Sequence, residues 1–215
     1  MHTKVTRQRI DTHLEYDWFK YILILIAAIA LWIFAFQILN ASRNHEQINV
    51  FVAAPERPNV DVSRSLAARF DGTHIRETHV AALSPFSQGF NELLLTRGMH
   101  TSDILILPSL IMTHNSAAFV EFDEGLIYML GADSDGDFFE SEYFGGLRGI
   151  RVDNLPRAYA VFNFDIIEAE EGEEPLSWYL VFNLRSVNIG GYNSRSRPEH
   201  TQAIEAARFL LDMMR

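Results

Sequence analysis

The densest set of potential metal ligands lies in residues 132–142, ADSDGDFFESE. Asp133, Asp135 and Asp137 alternate there, as carboxylates do at the start of a calcium loop. The helix–loop–helix calcium pattern also needs glycine at its sixth position and a bidentate glutamate at its twelfth. Those places hold Phe138 and Phe144, and Gly136 falls at the fourth. A solvated acidic loop is the simpler reading, and calcium binding through Asp133, Asp135 and Asp137 is the alternative. Outside a cell, calcium at millimolar levels fills even a weak site.

Other candidate chemistry is sparser. His74 and His79 flank Glu77 but stand five apart, whereas a helical zinc pair stands four apart. On a strand, Glu77 and His79 share a face and His74 points the other way. His100 and His114 are isolated. Ser109, Ser116 and Ser141 lie in no G-x-S-x-G elbow. There is no G-x-x-x-x-G-K-[ST] loop and no G-x-G-x-x-G, and Gly145-Gly146 and Gly190-Gly191 read as turns. The chain has no cysteine, which removes disulfides, thiolate metal sites and a cysteine nucleophile. The pattern fits a binding protein that needs no cofactor better than an enzyme. Aromatics at a rim serve as interface anchors. Trp178, Tyr179, Phe138, Phe139, Tyr143 and Phe144 are candidates for that role or for the core.

Three elements must position these residues, and the first is not part of a globular fold. Phe19–Leu39 reads FKYILILIAAIALWIFAFQIL, with Lys20 at its edge and Gln37 as the only other polar residue. About twenty apolar residues cross a hydrocarbon core roughly 30 Å thick. A globular helix normally keeps a polar face, and this run has none. A signal peptide has a shorter apolar core and a small-x-small cleavage site, which Leu39-Asn40-Ala41 matches poorly. The expectation is an uncleaved single-pass membrane helix.

Charge orients it. Lys4, Arg7, Arg9 and Lys20 stand before the core and Arg43 alone just after it. The positive-inside rule then puts residues 1–18 in the cytoplasm and the C-terminal domain outside it. From residue 40 onward, 14 arginines face 25 acidic residues, a net charge of −11. Such a surface repels nucleic acid and anionic headgroups, so no nucleic-acid partner is expected.

After a linker at 40–47, residues 48–215 read as one α/β domain with a parallel or mixed sheet. Ile48–Ala54 (INVFVAA), Ile75–Leu83 and Ile104–Leu107 are strand-like apolar runs. Between them, Val60–Phe70 and Phe86–Arg97 carry helical spacing, and Gly98 reads as a helix stop. The β-α-β-α-β order calls for parallel strands with right-handed crossovers. Ala158–Ala169 and Trp178–Val187 read as a hairpin joined by the acidic loop 170–175. The segment 198–215 reads as a closing helix, with Ala203, Ala206, Ala207, Leu210 and Leu211 on one face.

Four segments carry a family resemblance. INVFVAAPERPNVDVSRSLAARF resembles the start of an extracytoplasmic solute-binding protein of an ABC transporter. FNELLLTRGMHTSDILILPSLIM resembles that family's second helix and third strand, where an aspartate opens an apolar strand. YFGGLRGIRVDNLPRAYAVFNFD and EHTQAIEAARFLLDMM resemble its later strand re-entry and its lobe-closing helix. The family has two lobes that trap a ligand between them, whereas this chain has room for about one. The resemblance therefore implies a membrane-anchored, single-lobe relative. It would act as a non-enzymatic accessory docking on an ABC permease or another membrane complex. The alternative is an extracytoplasmic sensor of a small molecule or calcium. Ligands of open parallel sheets sit beyond the carboxyl ends of the strands. That places candidate ligand-binding residues at Pro55, Ser84, Pro108 and Ser109, with Trp178 as an aromatic candidate.

Overall fold

A computed structural model describes residues 7–40, 42–54, 62–133, 136–164 and 176–215 of the chain. The chain divides between Ser42 and Arg43. The first unit holds one helix, α1 (Arg7–Asn40). Within it, Trp18–Ile38 has mean hydropathy 2.5 over 21 residues, and none of it is buried. A globular helix normally keeps a polar face, and this one has apolar side chains on every face. The length and composition suit a single-pass membrane anchor, and a signal sequence has the same length and composition.

The second unit is an α/β domain. A 3₁₀ turn at Asn44–Glu46 leads into β1 (Gln47–Val52), then α2 (Val62–Arg69) and β2 (Glu77–Ala82). Next come α3 (Phe90–Leu93), a π turn (Leu94–Gly98) and α4 (Met99–Thr101), continuous with one another, then β3 (Ile104–Pro108) and α5 (Ser109–Asn115). α6 (Glu124–Leu130), β4 (Phe138–Glu140), β5 (Leu147–Arg151), α7 (Ala158–Phe162), β6 (Trp178–Phe182) and α8 (Gln202–Met214) complete it.

The six strands among the described residues form one mixed sheet in the order β2-β1-β3-β6-β5-β4. The expected β-α-β-α-β half is present, with β2, β1 and β3 parallel. β6, β5 and β4 add three antiparallel pairings. Order 2-1-3 with right-handed crossovers sends the two connecting helical segments to opposite faces. Register aligns Phe51 with Leu105 and Val181 on one face, and Val50 with Ile104 and Phe182 on the other. Every residue of β3 is buried, as expected of a central strand covered on both faces. Burying each Ile or Leu there contributes about 1.5–3 kcal/mol relative to leaving it exposed.

Gly98 does not stop its helix, because helical backbone continues to Thr101. Its lack of a side chain has another use. A Cβ there would come within 2.9 Å of Leu94 Cδ1 and 3.5 Å of Phe51 Cδ1, so glycine lets this turn lie directly on the sheet. On the other face Phe122 meets Phe182 at 5.7 Å between ring centroids, and α8 lies against α6, α7 and β1.

The expected hairpin is not formed as drawn. Ala158–Phe162 is a short helix ended by Asn163 in the left-handed region (φ 49°). Its buried Ala158, Val161 and Phe162 follow i, i+3, i+4 spacing, which a short apolar run hides from a strand reading. β6 pairs instead with β3 and β5, and the acidic loop 170–175 lies outside the described residues. The closing helix starts at Gln202, four residues later than expected. The residues before it close the preceding loop, with Gly190 N donating to His200 O and Ala203 N to Asn188 O.

Candidate functional site

At the carboxyl ends of the parallel strands, Ser84 and Ser109 are half-buried and their backbones are engaged locally. Ala53 and Ala54 are fully buried after β1, and Pro55 lies outside the described residues. Ser84 is engaged in a tight turn. Its Oγ accepts from Phe86 N at 3.3 Å, and its carbonyl accepts from Ser87 N and Ser87 Oγ. Pro108 is buried and in register with Trp178, and Ser109 N donates to Ser177 O at 2.8 Å. The antiparallel β6 runs beside β3, and its first residue, Trp178, stands level with Pro108 at the carboxyl end of β3. Trp178 is fully buried, its ring stacked on Phe164 at 4.8 Å and 17°. It is a core residue, out of reach of a surface ligand.

Asp133 and Asp137 have different partners. Asp133 caps a turn through its carbonyl, which accepts from Gly136 N. Its side chain borders a groove of about 580 Å³ between α6 and α8. Asp135 lies outside the described residues. Asp137 lies 3.6 Å from Arg151 Nη1 and accepts from Asn154 Nδ2 at 3.1 Å. Arg151 also grips Asp153 with two nitrogens, which raises its pKa further. Among the described residues no three histidine, aspartate or glutamate side chains gather around one point. Glu77 and His79 do share a face and bond at 3.1 Å.

The most developed polar site lies at the opposite end, where β1 and β3 begin. Asp103 ties these strands just before their ladder. Its N–H donates to Asn49 O at 2.8 Å, and its Oδ2 accepts from Asn49 N at 2.9 Å. Its Oδ1 accepts from Ser186 Oγ and from Asn188 Nδ2. Asn183, just after β6, donates its side chain to Met99 O and Ser102 O, each at 2.9 Å. Asp103 is 4% exposed. Burial pushes its carboxyl up to about 6, against the pull of its three donors. A carboxylate with every oxygen engaged is a structural clasp and is poorly placed to act as a base.

Around this clasp open two adjoining cavities. One, of about 170 Å³, is bordered by Asn44, Asn49, His100, Asp103 and Arg185. The other, of about 710 Å³, shares Asn49, Thr101 and Ser102 with it and adds Ser63, His79 and Arg97. Arg185 Nη1 lies 2.9 Å from His100 Nδ1. A guanidinium only donates, so Nδ1 accepts and the ring proton sits on Nε2. The sequence singled out none of Arg97, Arg185, Ser186 or Asn188. The one signal was the i, i+3 spacing of Arg97 and His100 along a helix, which sets both on one side.

No protein-family profile, characterised protein or solved structure matches this chain.

Proposed function

We propose that the chain is a single-pass membrane protein with an extracytoplasmic α/β domain that serves as a non-enzymatic accessory module. The domain is a solute-binding-like lobe reduced to one sheet, and it docks on an ABC permease or a comparable integral membrane complex. The observation that carries this reading is the joining of two units. A 21-residue apolar helix with no buried side chain precedes a domain whose strands, among the described residues, all belong to one sheet. Trapping a solute between closing lobes needs two lobes, and a tethered single lobe is suited to staying beside a partner. Gentle detergent extraction of the full chain, followed by crosslinking, tests it. Recovery of a stoichiometric membrane partner is expected, and extraction of the chain alone under several detergents would rule the docking role out.

A further inference from the structure

We propose that the two adjoining cavities at the start of β1 and β3 form one groove that binds a phosphate-bearing polyol, such as a glycerol phosphate group. This binding activity goes beyond the docking role and stands or falls independently of it.

The groove has two kinds of wall. Arg97, His100 and Arg185 supply its cationic and donor groups. Among the described residues Arg97 has no carboxylate partner, and the Arg185 guanidinium bonds only to the neutral face of the His100 ring, so neither charge is met by a carboxylate there. Arginines that face no carboxylate suit oxyanions, because the guanidinium presents several donors in a fixed fork. The hydroxyl groups form the second wall. Ser63 Oγ donates to Thr78 O, and Thr101 Oγ1 and Ser102 Oγ both donate to Arg97 O. With their protons committed to backbone carbonyls, these hydroxyls can offer a ligand only acceptor lone pairs. A ligand that satisfies both walls carries an anionic acceptor for the arginines and hydroxyl donors for the serine and threonine oxygens. Bare phosphate satisfies the first wall, and a phosphorylated polyol satisfies both.

Among the described lining residues the one acidic side chain, Asp103, does not oppose this. The Asp103 carboxylate is turned into Asn49, Ser186 and Asn188 and is nearly inaccessible. The site is also a local exception in charge, since the domain as a whole is acidic. Its ligand can come from solution or from a lipid headgroup. Gln47, where β1 starts, is seven residues beyond the end of α1 in the chain, so the lipid source must be tested beside the soluble one.

The test uses the full chain in nanodiscs of phosphatidylcholine, titrated with glycerol 3-phosphate, inorganic phosphate or glycerol at constant ionic strength. Heat and the NMR signals of the His100 ring are the readouts. Saturable binding is expected in the order glycerol 3-phosphate, then phosphate, with none for glycerol. Arg97→Gln and Arg185→Gln should each weaken binding roughly tenfold or more, the loss of a hydrogen bond between charged groups. Arg97→Lys should retain part of it. Both arginines are exposed, so circular dichroism should be unchanged. A second arm uses nanodiscs containing phosphatidylglycerol. A weaker apparent affinity for glycerol 3-phosphate there, seen with the native chain only, identifies the headgroup as the source. Equal affinity in both discs identifies the soluble source. Binding that persists in the double glutamine variant, or no saturable binding up to tens of millimolar, overturns the proposal. Absence of a membrane partner leaves it standing.

Discussion

Asn188 Nδ2 lies 3.1 Å from Asp103 Oδ1 and also donates to Gln47 O at 2.9 Å and Asn44 O at 3.2 Å. One carboxamide therefore joins the buried carboxylate to the turn that precedes β1. Asp103 carries the clearest pH signature in the domain. Its folded-state pKa of about 6 lies above the ordinary 3.8, so the folded protein takes up the proton first as pH falls. Ionised burial thus costs stability at pH 7, and the cost is relieved as pH drops through about 6 toward 3.8. The full effect is on the order of 3 kcal/mol. Urea unfolding at pH 7 and pH 5 should show a rise in stability at the lower pH. In Asp103→Asn that rise should shrink, because the carboxamide does not titrate. A pH difference unchanged by Asp103→Asn would show that other groups produce it.

Gly149 in β5 is a second position with a sharp expectation. A Cβ there would sit 2.8 Å from Val181 Cγ1, 3.2 Å from Met112 Cε and 3.2 Å from Leu180 O. The carbonyl belongs to the neighbouring strand and cannot swing aside. Gly149→Ala should destabilise the domain by about 1–3 kcal/mol through overpacking. Combining it with Val181→Ala should cost less than the sum of the two single changes, because they share the clash. Strict additivity in denaturant unfolding would contradict this geometry.

The parallel half of the sheet was legible because its physics is local. Ile104–Leu107 is apolar at every position, as a strand covered on both faces must be, and helix-spaced segments separate it from its neighbours. The antiparallel half was not legible. β4 is three residues long and bulged between Phe139 and Glu140, so it offers too few alternations to show a period. Ala158–Phe162 satisfies a strand pattern and a helix pattern equally well at five residues. The polar site was hidden for a different reason. Asp103, Ser186 and Asn188 meet only after β6 returns antiparallel to β3, and no spacing along the chain encodes that return. The sequence left Trp178 open between rim and core, because an aromatic at the start of a strand looks the same in sequence whichever it faces.

Trp178 also offers a clean reporter. The chain has three tryptophans, and Trp18 and Trp32 both lie in α1. A chain beginning at Arg43 keeps Trp178 alone, fully buried against Phe164. The second unit has its own core, so this truncation should fold in water. Its fluorescence should be blue-shifted and move to the red in one cooperative transition with urea. Red emission before any denaturant is added would mean that the domain needs α1 to fold.

Asp153 and Asp137 both approach Arg151, and their settings predict opposite outcomes. Asp153 is 8% exposed in its side chain, pairs with Arg151 at 3.0 Å, and accepts from Trp178 N at 2.9 Å. Removing it leaves the first N–H of β6 without that acceptor and a half-buried guanidinium without its closest partner. Asp153→Ala should therefore cost about 1–3 kcal/mol. Asp137 is 59% exposed and 3.6 Å from Arg151, where solvent screens the pair. Asp137→Ala should change stability by less than about 1 kcal/mol. Added salt should narrow the difference between native and Asp137→Ala proteins, while the Asp153→Ala loss should persist, because it rests on a shielded backbone hydrogen bond. Equal losses for the two variants would mean that the Asp153 link to β6 contributes no more than a surface ion pair.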